Sequence, residues 1–242
     1  MIIILSFSCA YAQSSKSPAL SYLSINVGTF FATQSKIESE ETGNILDNYT
    51  SPGVKLSLNY SLEKSHLFYS GGLAARILPF GYQFLIKKKD RLDQSGITYD
   101  YQDRFSEYYF YILSLPFKIG YQTLENKAKQ KFLFNTGIEL NFTTEMSLST
   151  GYLSSGNNPP LIDVETESYQ KAYPTFSLEG GISKVQKNGN QLKFGLEYNI
   201  SKTNIIDGHY TVNLKNSTTN GTYRDTGTYL GFNFAYVFKL KK

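Results

Sequence analysis

The last segment of the chain, Gly227–Leu240, constrains the fold more than any other stretch. Its sequence is GTYLGFNFAYVFKL, in which one set of alternate positions is apolar or aromatic and the other is mostly small or polar. The apolar positions are Leu230, Phe232, Phe234, Tyr236, Phe238 and Leu240. Because successive side chains of a β-strand point to opposite faces, this pattern predicts a strand with one continuous apolar face. A face of this length requires either lipid or a large protein core.

Seven earlier segments repeat this alternation and predict further strands. They are Leu20–Ala32, Pro52–Leu62, His66–Leu78, Tyr108–Tyr121, Lys131–Met146, Ala172–Val185 and Gln191–Ser201. Pro116 lacks an N–H group for the ladder, so we expect a bulge or local irregularity there. Lys187-Asn188-Gly189-Asn190 predicts a tight hairpin turn, because Asn-Gly readily adopts positive φ.

The connections between these strands alternate regularly between long and short. The long ones are Thr33–Ser51, Gly81–Arg104, Ser147–Lys171 and Lys202–Asp225, and the short ones are Glu63–Ser65, Glu125–Gln130 and Lys187–Asn190. Long extracellular loops and short periplasmic turns are typical of outer-membrane barrels. Residues 20–242 are therefore predicted to form an all-β, eight-stranded, antiparallel, up-and-down transmembrane β-barrel.

The first residues read as a secretory signal. Ile2–Phe7 is a short apolar core and Ala10-Tyr11-Ala12 matches an A-x-A cleavage pattern, so residues 1–12 are predicted to be removed and 13–19 to form a short lead. Cys9 is the only cysteine, and its removal would exclude disulfides and cysteine-ligated metals. The mean hydropathy is −0.31, and the chain has no apolar run of the roughly 20 residues that a membrane helix needs. A chain of this kind can span a membrane only as a closed barrel.

The same alternation also fits a soluble β-protein, such as a lipocalin-like barrel that binds a small apolar ligand in its interior. Two features favour lipid. The less apolar faces hold mainly Gly, Ser, Asn and Ala rather than the lysines and glutamates of a solvated surface. Tyrosines also lie near strand ends on the apolar faces, as in aromatic girdles at headgroup level. These are Tyr60, Tyr69, Tyr109, Tyr121, Tyr198 and Tyr236.

The segment YYFYILSLPFKIGY, Tyr108–Tyr121, resembles a characteristic strand of the PorT-like outer-membrane barrel family of Gram-negative envelopes. The matching residues are Tyr111, Leu113, Leu115, Pro116, Lys118 and Tyr121. The closing GFNFAYVFKL is similar to the family's last strand, although Lys239–Lys242 extend past the terminal aromatic residue. The resemblance implies a location in the outer membrane and recognition of the last strand by the barrel insertion machinery. Some members of the family assist a secretion system or a gliding apparatus, and many have no known role, so a secretion-associated role is one expectation from the resemblance.

The interior of an eight-stranded barrel is just wide enough to be filled by side chains, so a general porin is not expected. The alternation places charges of both signs inside. They are Lys55, Arg76, Lys118, Glu139, Glu179, Lys193 and Glu197. Because unpaired charges in a narrow lumen are unfavourable, we predict an internal ion-pair network, unless some of these residues lie at the mouths in water.

Other functional signals are weaker. Asp207-Gly208-His209 with Ser201 invites a hypothesis of a lipid A-modifying enzyme, but closeness in sequence does not make a catalytic arrangement, and no catalytic, cofactor or metal residues are predicted. A basic cluster, Lys87, Lys88, Lys89 and Arg91, lies in the second long loop and could contact lipopolysaccharide phosphates or envelope proteins. The net charge of +4 makes no case for nucleic acid. A structural or partner-docking barrel is the leading prediction.

Overall fold

The computed structural model describes residues 19–32, 35–39, 46–48, 52–87, 101–143, 146–152, 161–168 and 172–240. The predicted signal and lead, apart from residue 19, lie outside these residues. The described ranges contain no helix with the length and hydropathy of a membrane span.

The described residues form fourteen strands. In chain order they are β1 (Leu20–Ala32), β2 (Ser35–Ser39), β3 (Leu46–Asn48), β4 (Pro52–Lys64), β5 (Leu67–Ile86), β6 (Tyr101–Gln122), β7 (Gln130–Thr143), β8 (Met146–Tyr152), β9 (Ile162–Ser168), β10 (Ala172–Val185), β11 (Gln191–Ile200), β12 (Ile206–Asn213), β13 (Thr218–Asp225) and β14 (Tyr229–Lys239).

Eight of these strands close into an antiparallel barrel, in the order β1, β4, β5, β6, β7, β10, β11, β14 and back to β1. The first and last strands close it, with Leu23 opposite Phe238 and Val27 opposite Phe234. The predicted fold is therefore confirmed. Both the beginning of β1 and the end of β14 lie at the end of the barrel that carries the short turns.

The strand bounds differ from the prediction mainly at β4, β5 and β6. Glu63 and Lys64 belong to β4 rather than to a turn, and the chain reverses at Ser65, whose φ is 57°. The second long loop is strand at both of its ends, since β5 continues to Ile86 and β6 begins at Tyr101, while residues 88–100 lie outside the described residues. The pairing of β5 with β6 skips the positions of Leu115 and Pro116 without a change of register, and the register shift lies at Phe80/Tyr82 instead.

The other long loops also contain strands. A second, five-stranded sheet has the order β2-β13-β12-β9-β8, so it joins segments from the connections after β1, β7 and β11. Inward positions of β12 are apolar or glycine and outward positions are polar, as in a half-buried strand. The prediction of irregular loops was wrong here, because the Asn, Thr and Gly content of these segments masked a short period-2 pattern.

The inner face of this loop sheet packs on the extended ends of the barrel strands. The buried residues of the resulting apolar cluster are Phe30, Leu78, Ile86, Phe110, Ile112, Leu161, Ile162, Val164, Tyr173, Ile205, Ile206, Tyr210, Val212, Tyr223 and Tyr229. Glycines make room for its rings, since Tyr223 lies over Gly208 and Tyr210 over Gly221. We call this cluster, together with the loop sheet, the cap; it covers the long-loop end of the barrel.

The outer wall of the barrel is apolar on every strand. Its exposed large side chains are Ile25, Val27, Phe31, Val54, Leu56, Leu58, Tyr60, Leu62, Leu67, Tyr69, Leu73, Ile77, Tyr109, Tyr111, Leu113, Phe117, Ile119, Tyr121, Phe132, Phe134, Ile138, Leu140, Phe142, Phe176, Ile182, Phe194, Leu196, Leu230, Phe232, Phe234 and Phe238. On β4 the belt runs from Val54 to Leu62, a rise of about 27 Å along the strand at about 3.4 Å per residue. With a strand tilt of about 40°, the belt is roughly 20 Å tall, close to the apolar band of membrane barrels.

Candidate functional site

The lumen gathers the polar and charged residues of the barrel. All seven residues of the predicted network point inward, and every one is buried or half-buried. Alternation explains their placement, because the two neighbours of each residue on its own strand lie on the outward face of the barrel. For example, Lys55 lies between exposed Val54 and Leu56 and faces Gly28 across the β1–β4 ladder.

Lys55 is the centre of the cap-side half of the lumen. Its Nζ donates to Glu139 Oε1 at 2.8 Å, to Glu197 Oε1 at 2.9 Å and to the hydroxyl of Tyr229 at 3.0 Å. Glu197 also accepts a hydrogen bond from Asn233 Nδ2 at 2.6 Å. The residues of this cluster come from β4, β7, β11 and β14, so the cluster ties distant parts of the wall together. Three bonds to one ammonium group use all of its donors, which is the condition for keeping a buried charge.

Arg76 extends the same cluster. It lies directly opposite Lys55 in the β4–β5 ladder, and like charges in that position repel each other. Its guanidinium donates to Asn141 Oδ1 and lies 5.0 Å from the centre of the Tyr229 ring. Glu179 and Glu197 form the matching acidic pair, directly opposite each other in the β10–β11 ladder.

These two pairs lie on facing walls. In the closed order, β10 is four strands away from β4 and β11 is four strands away from β5, so the two pairs are on opposite sides of the barrel. The basic pair therefore faces the acidic pair across the lumen, and attraction across the barrel offsets the repulsion within each pair.

Lys118 contacts both members of the acidic pair, on the side of the lumen nearer to the short turns. Its Nζ lies 3.0 Å from Glu179 Oε2 and 3.4 Å from Glu197 Oε1. Asn135 Nδ2 donates to the same Glu179 oxygen at 3.1 Å. The stem of Lys118 crosses Gly137, and the Glu179 carboxylate lies over Gly195. These inward glycines supply the space that long side chains need in a narrow barrel.

Replacement of Glu179 by lysine is expected to lower the melting temperature of the barrel in detergent. The new ammonium would lie beside Lys118 and leave Asn135 without its acceptor. Because the Glu179 carboxylate is partly open to water, we expect a loss of about 2–3 kcal/mol, or roughly 5–10 °C for a chain of this size. Melting is monitored by the heat-dependent shift of the protein band on a gel. A melting temperature equal to that of the wild type would refute the role of Glu179 in the network.

A second cluster closes the short-turn end of the lumen around Glu63. Its carboxylate lies 3.6 Å from Lys193 Nζ and 3.9 Å from Lys131 Nζ. Gln122 and Gln191 each donate an amide hydrogen bond to it, at 3.2 Å and 3.4 Å. Sequence reasoning placed Glu63 in a turn and so missed it. The alternation of β4, continued two residues further, would have pointed Glu63 inward.

A cavity of about 70 Å³ remains between the two clusters. Its lining is mixed and includes serines, asparagines, Lys118 and Glu179. Three buried oxygens of lining residues have no hydrogen-bond partner among the described residues: Asn59 Oδ1, Asn135 Oδ1 and Glu139 Oε2. A space of this size suits a few water molecules and is far below the roughly 300–1,000 Å³ of small-molecule sites.

The remaining candidates do not form a catalytic or metal site among the described residues. Ser201 Oγ donates to the carbonyl of Thr203, whereas His209 is exposed at an outward position of β12. Asp207 lies 3.4 Å from Arg224 and accepts from Asn204, so it does not orient His209. No group of three His, Cys, Asp or Glu residues that could hold a metal occurs in the described part of the chain. Of the basic cluster, Lys87 is exposed, and Lys88, Lys89 and Arg91 lie outside the described residues.

No protein-family model matches the chain. No curated protein matches it either. Among solved structures it is similar to Neisserial surface protein A, NspA, with 12% identity, a TM-score of 0.39 and coverage of 90% of this chain and 98% of that one. It is also similar to a major outer membrane protein from Thermus thermophilus, with 11% identity, a TM-score of 0.40 and coverage of 91% and 99%. The barrel is established by the strand pairing itself.

Proposed function

We propose that this protein is an integral outer-membrane β-barrel with a side-chain-filled lumen, and that it serves as a structural or partner-docking component of the envelope. The observation that carries the proposal is the inside-out distribution of polarity. Its outer wall is a continuous apolar belt, while its interior holds two ion-pair clusters. In water such a belt would expose far more contiguous apolar surface than soluble proteins do.

The lipocalin-like alternative requires the opposite arrangement. A soluble barrel that binds an apolar ligand needs an apolar interior and a solvated outer wall. Here Leu56, Leu58 and their neighbours on other strands are exposed, and the interior is lined by Lys55, Ser57 and Asn59. The observed faces therefore argue against this alternative.

The tyrosines support an orientation in the membrane. Tyr60, Tyr69, Tyr121 and Tyr236 lie toward the short turns, and Tyr109, Tyr111 and Tyr198 lie toward the cap. Such rings at both edges of an apolar belt match the two interfaces of a bilayer. We place the short turns in the periplasm and the cap outside the cell.

The resemblance of Tyr108–Tyr121 to PorT-like barrels favours a secretion-associated docking role and insertion by the barrel machinery through β14. The cap supports docking, because it presents a folded surface with charges of both signs, such as Glu165 and Arg224, to lipopolysaccharide or envelope proteins. No enzymatic activity is proposed.

An envelope protein that co-purifies after mild detergent extraction with the wild type, but not with Glu165→Lys, would support docking; equal recovery with both would refute the role of this face.

The location is tested by fractionating cells that express the intact chain, followed by gel analysis with and without boiling. We expect recovery in the outer membrane and a band that shifts on boiling, because closed barrels in lipid resist detergent at room temperature. Recovery in the soluble periplasm, with no shift, would refute the proposal.

A further inference from the structure

The short-turn end of the barrel carries a one-sided charge. Six lysines are exposed there: Lys64, Lys127, Lys129, Lys184, Lys187 and Lys239. Among the described residues of this end, Glu125 is the one exposed acidic residue. The other, Glu63, is buried inside the lumen. None of the six lysines has a carboxylate within 4.0 Å in the part of the chain that the structure describes. We call these six residues the lysine ring.

The lysine ring surrounds the barrel rather than forming a local patch. Lys64 ends β4 and Lys184 lies near the end of β10, each at an outward position that continues the apolar wall. Lys127 and Lys129 lie in the turn between β6 and β7. Lys187 lies in the turn between β10 and β11, and Lys239 ends β14. The charges are thus spread around the circumference, at the same end as the two chain termini of the barrel.

The level of the lysine ring is set by its aromatic and apolar neighbours. On β4, Tyr60 and Leu62 precede Lys64 at successive outward positions, and on β10 exposed Ile182 precedes Lys184. If the belt lies in lipid, the next outward position is at the headgroups. A lysine there keeps its stem on the apolar edge and extends its ammonium toward phosphate oxygens.

The opposite end of the barrel does not share this bias. Around the cap, the exposed or half-buried charges of the described residues are mixed in sign: Glu38, Asp163, Glu165, Glu167 and Asp207 with Lys87, Lys202, Lys215 and Arg224. The excess of positive charge is therefore a property of the short-turn end and not of the whole surface.

We propose that the lysine ring binds the phosphate groups of anionic phospholipids in the leaflet that meets the short turns. This inference rests on the proposed membrane location. A lipid leaflet fits better than a soluble anionic polymer or a protein, because a leaflet surrounds the barrel on all sides at this level, as the lysines do. Each ammonium near an anionic surface gains attraction that is screened by salt, so the preference is electrostatic and additive around the ring.

The test uses the folded barrel in micelles of a zwitterionic detergent. Phosphatidylglycerol and phosphatidylcholine with the same acyl chains are added in equal amounts, and native mass spectrometry counts the bound lipids. For the wild type we expect a preference for phosphatidylglycerol of about fivefold or more, which weakens at high salt. The triple variant Lys64→Gln, Lys184→Gln, Lys187→Gln is expected to lose most of that preference.

A charge-matched control separates the lysine ring from the net charge of the protein. The triple variant Lys87→Gln, Lys202→Gln, Lys215→Gln removes the same charge at the cap and is expected to keep the wild-type preference. Equal binding of both lipids by the wild type, or equal loss in the two triple variants, would overturn the inference. The heat-dependent gel shift separates a failure of this inference from a failure of the proposed function. A barrel that shows the shift, and is therefore folded in detergent, but has no lipid preference refutes only lipid binding by the lysine ring.

Discussion

Glu197→Gln is expected to destabilise the barrel by about 3–5 kcal/mol. Glu197 is fully buried and accepts from Lys55, Lys118, Tyr229 and Asn233. Its neutral replacement would leave the basic side of the lumen without full compensation, and a buried charge that loses its partner incurs the full penalty of its removal from water. The change in the free energy of unfolding is measured by urea unfolding of the refolded protein in detergent, with the shift of the folded band on a gel as the readout.

A second variant distinguishes the network from a general loss of packing. The cap-side and middle lumen holds three cations, Lys55, Arg76 and Lys118, against three carboxylates, Glu139, Glu179 and Glu197. The double variant Glu197→Gln, Lys118→Gln restores equal numbers of cations and carboxylates, so it is expected to recover part of the stability that Glu197→Gln loses. Glu165→Gln, on the exposed face of β9, should change stability by less than about 0.5 kcal/mol. Additive losses in the double variant would contradict a coupled network.

Leu73→Arg is expected to destabilise the barrel in a bilayer by about 2–4 kcal/mol. Leu73 is 62% exposed and lies midway along the outward positions of β5, between Tyr69 and Ile77. In lipid, this position is near the middle of the membrane, where a guanidinium is most unfavourable. In water, the same change would replace an exposed apolar group with a charged one and would leave the stability nearly unchanged.

The matched control for Leu73→Arg is Leu124→Arg. Leu124 is more exposed, at 75%, but lies in the short turn between β6 and β7, beyond the apolar belt. We expect it to fold and unfold like the wild type. Similar small effects of both arginines on unfolding in phospholipid vesicles would show that the belt does not face lipid.

The barrel could be predicted from the sequence because its physical rule is local and repeated. In segments such as Pro52–Leu62 the side chains alternate strictly, so a single observation assigns both the strand and the direction of every residue. The inward charges followed from the same rule. Their individual partners did not, because the contact of Lys55 with Glu197 depends on register across several strands, which no local pattern specifies.

The cap could not be predicted in the same way. Segments such as Ile206–Asn213 have only a few apolar positions separated by polar and glycine residues, and their strand character depends on pairing with β9 and β13. Their apolar residues become a core only when the extended ends of β5 and β6 lie opposite them. Tertiary packing therefore decided a structure that local composition assigned to loops.

The most direct test of the central claim, that the outer wall faces lipid, uses the absence of tryptophan from the chain. Leu73→Trp and Leu124→Trp each introduce a single tryptophan, which is excited selectively over the tyrosines, and the folded proteins are placed in vesicles whose phospholipids carry bromine near the middle of the acyl chains. Strong quenching of the tryptophan at position 73 and weak quenching at position 124 is the expected result. Equally weak quenching at both positions would contradict a membrane-embedded belt.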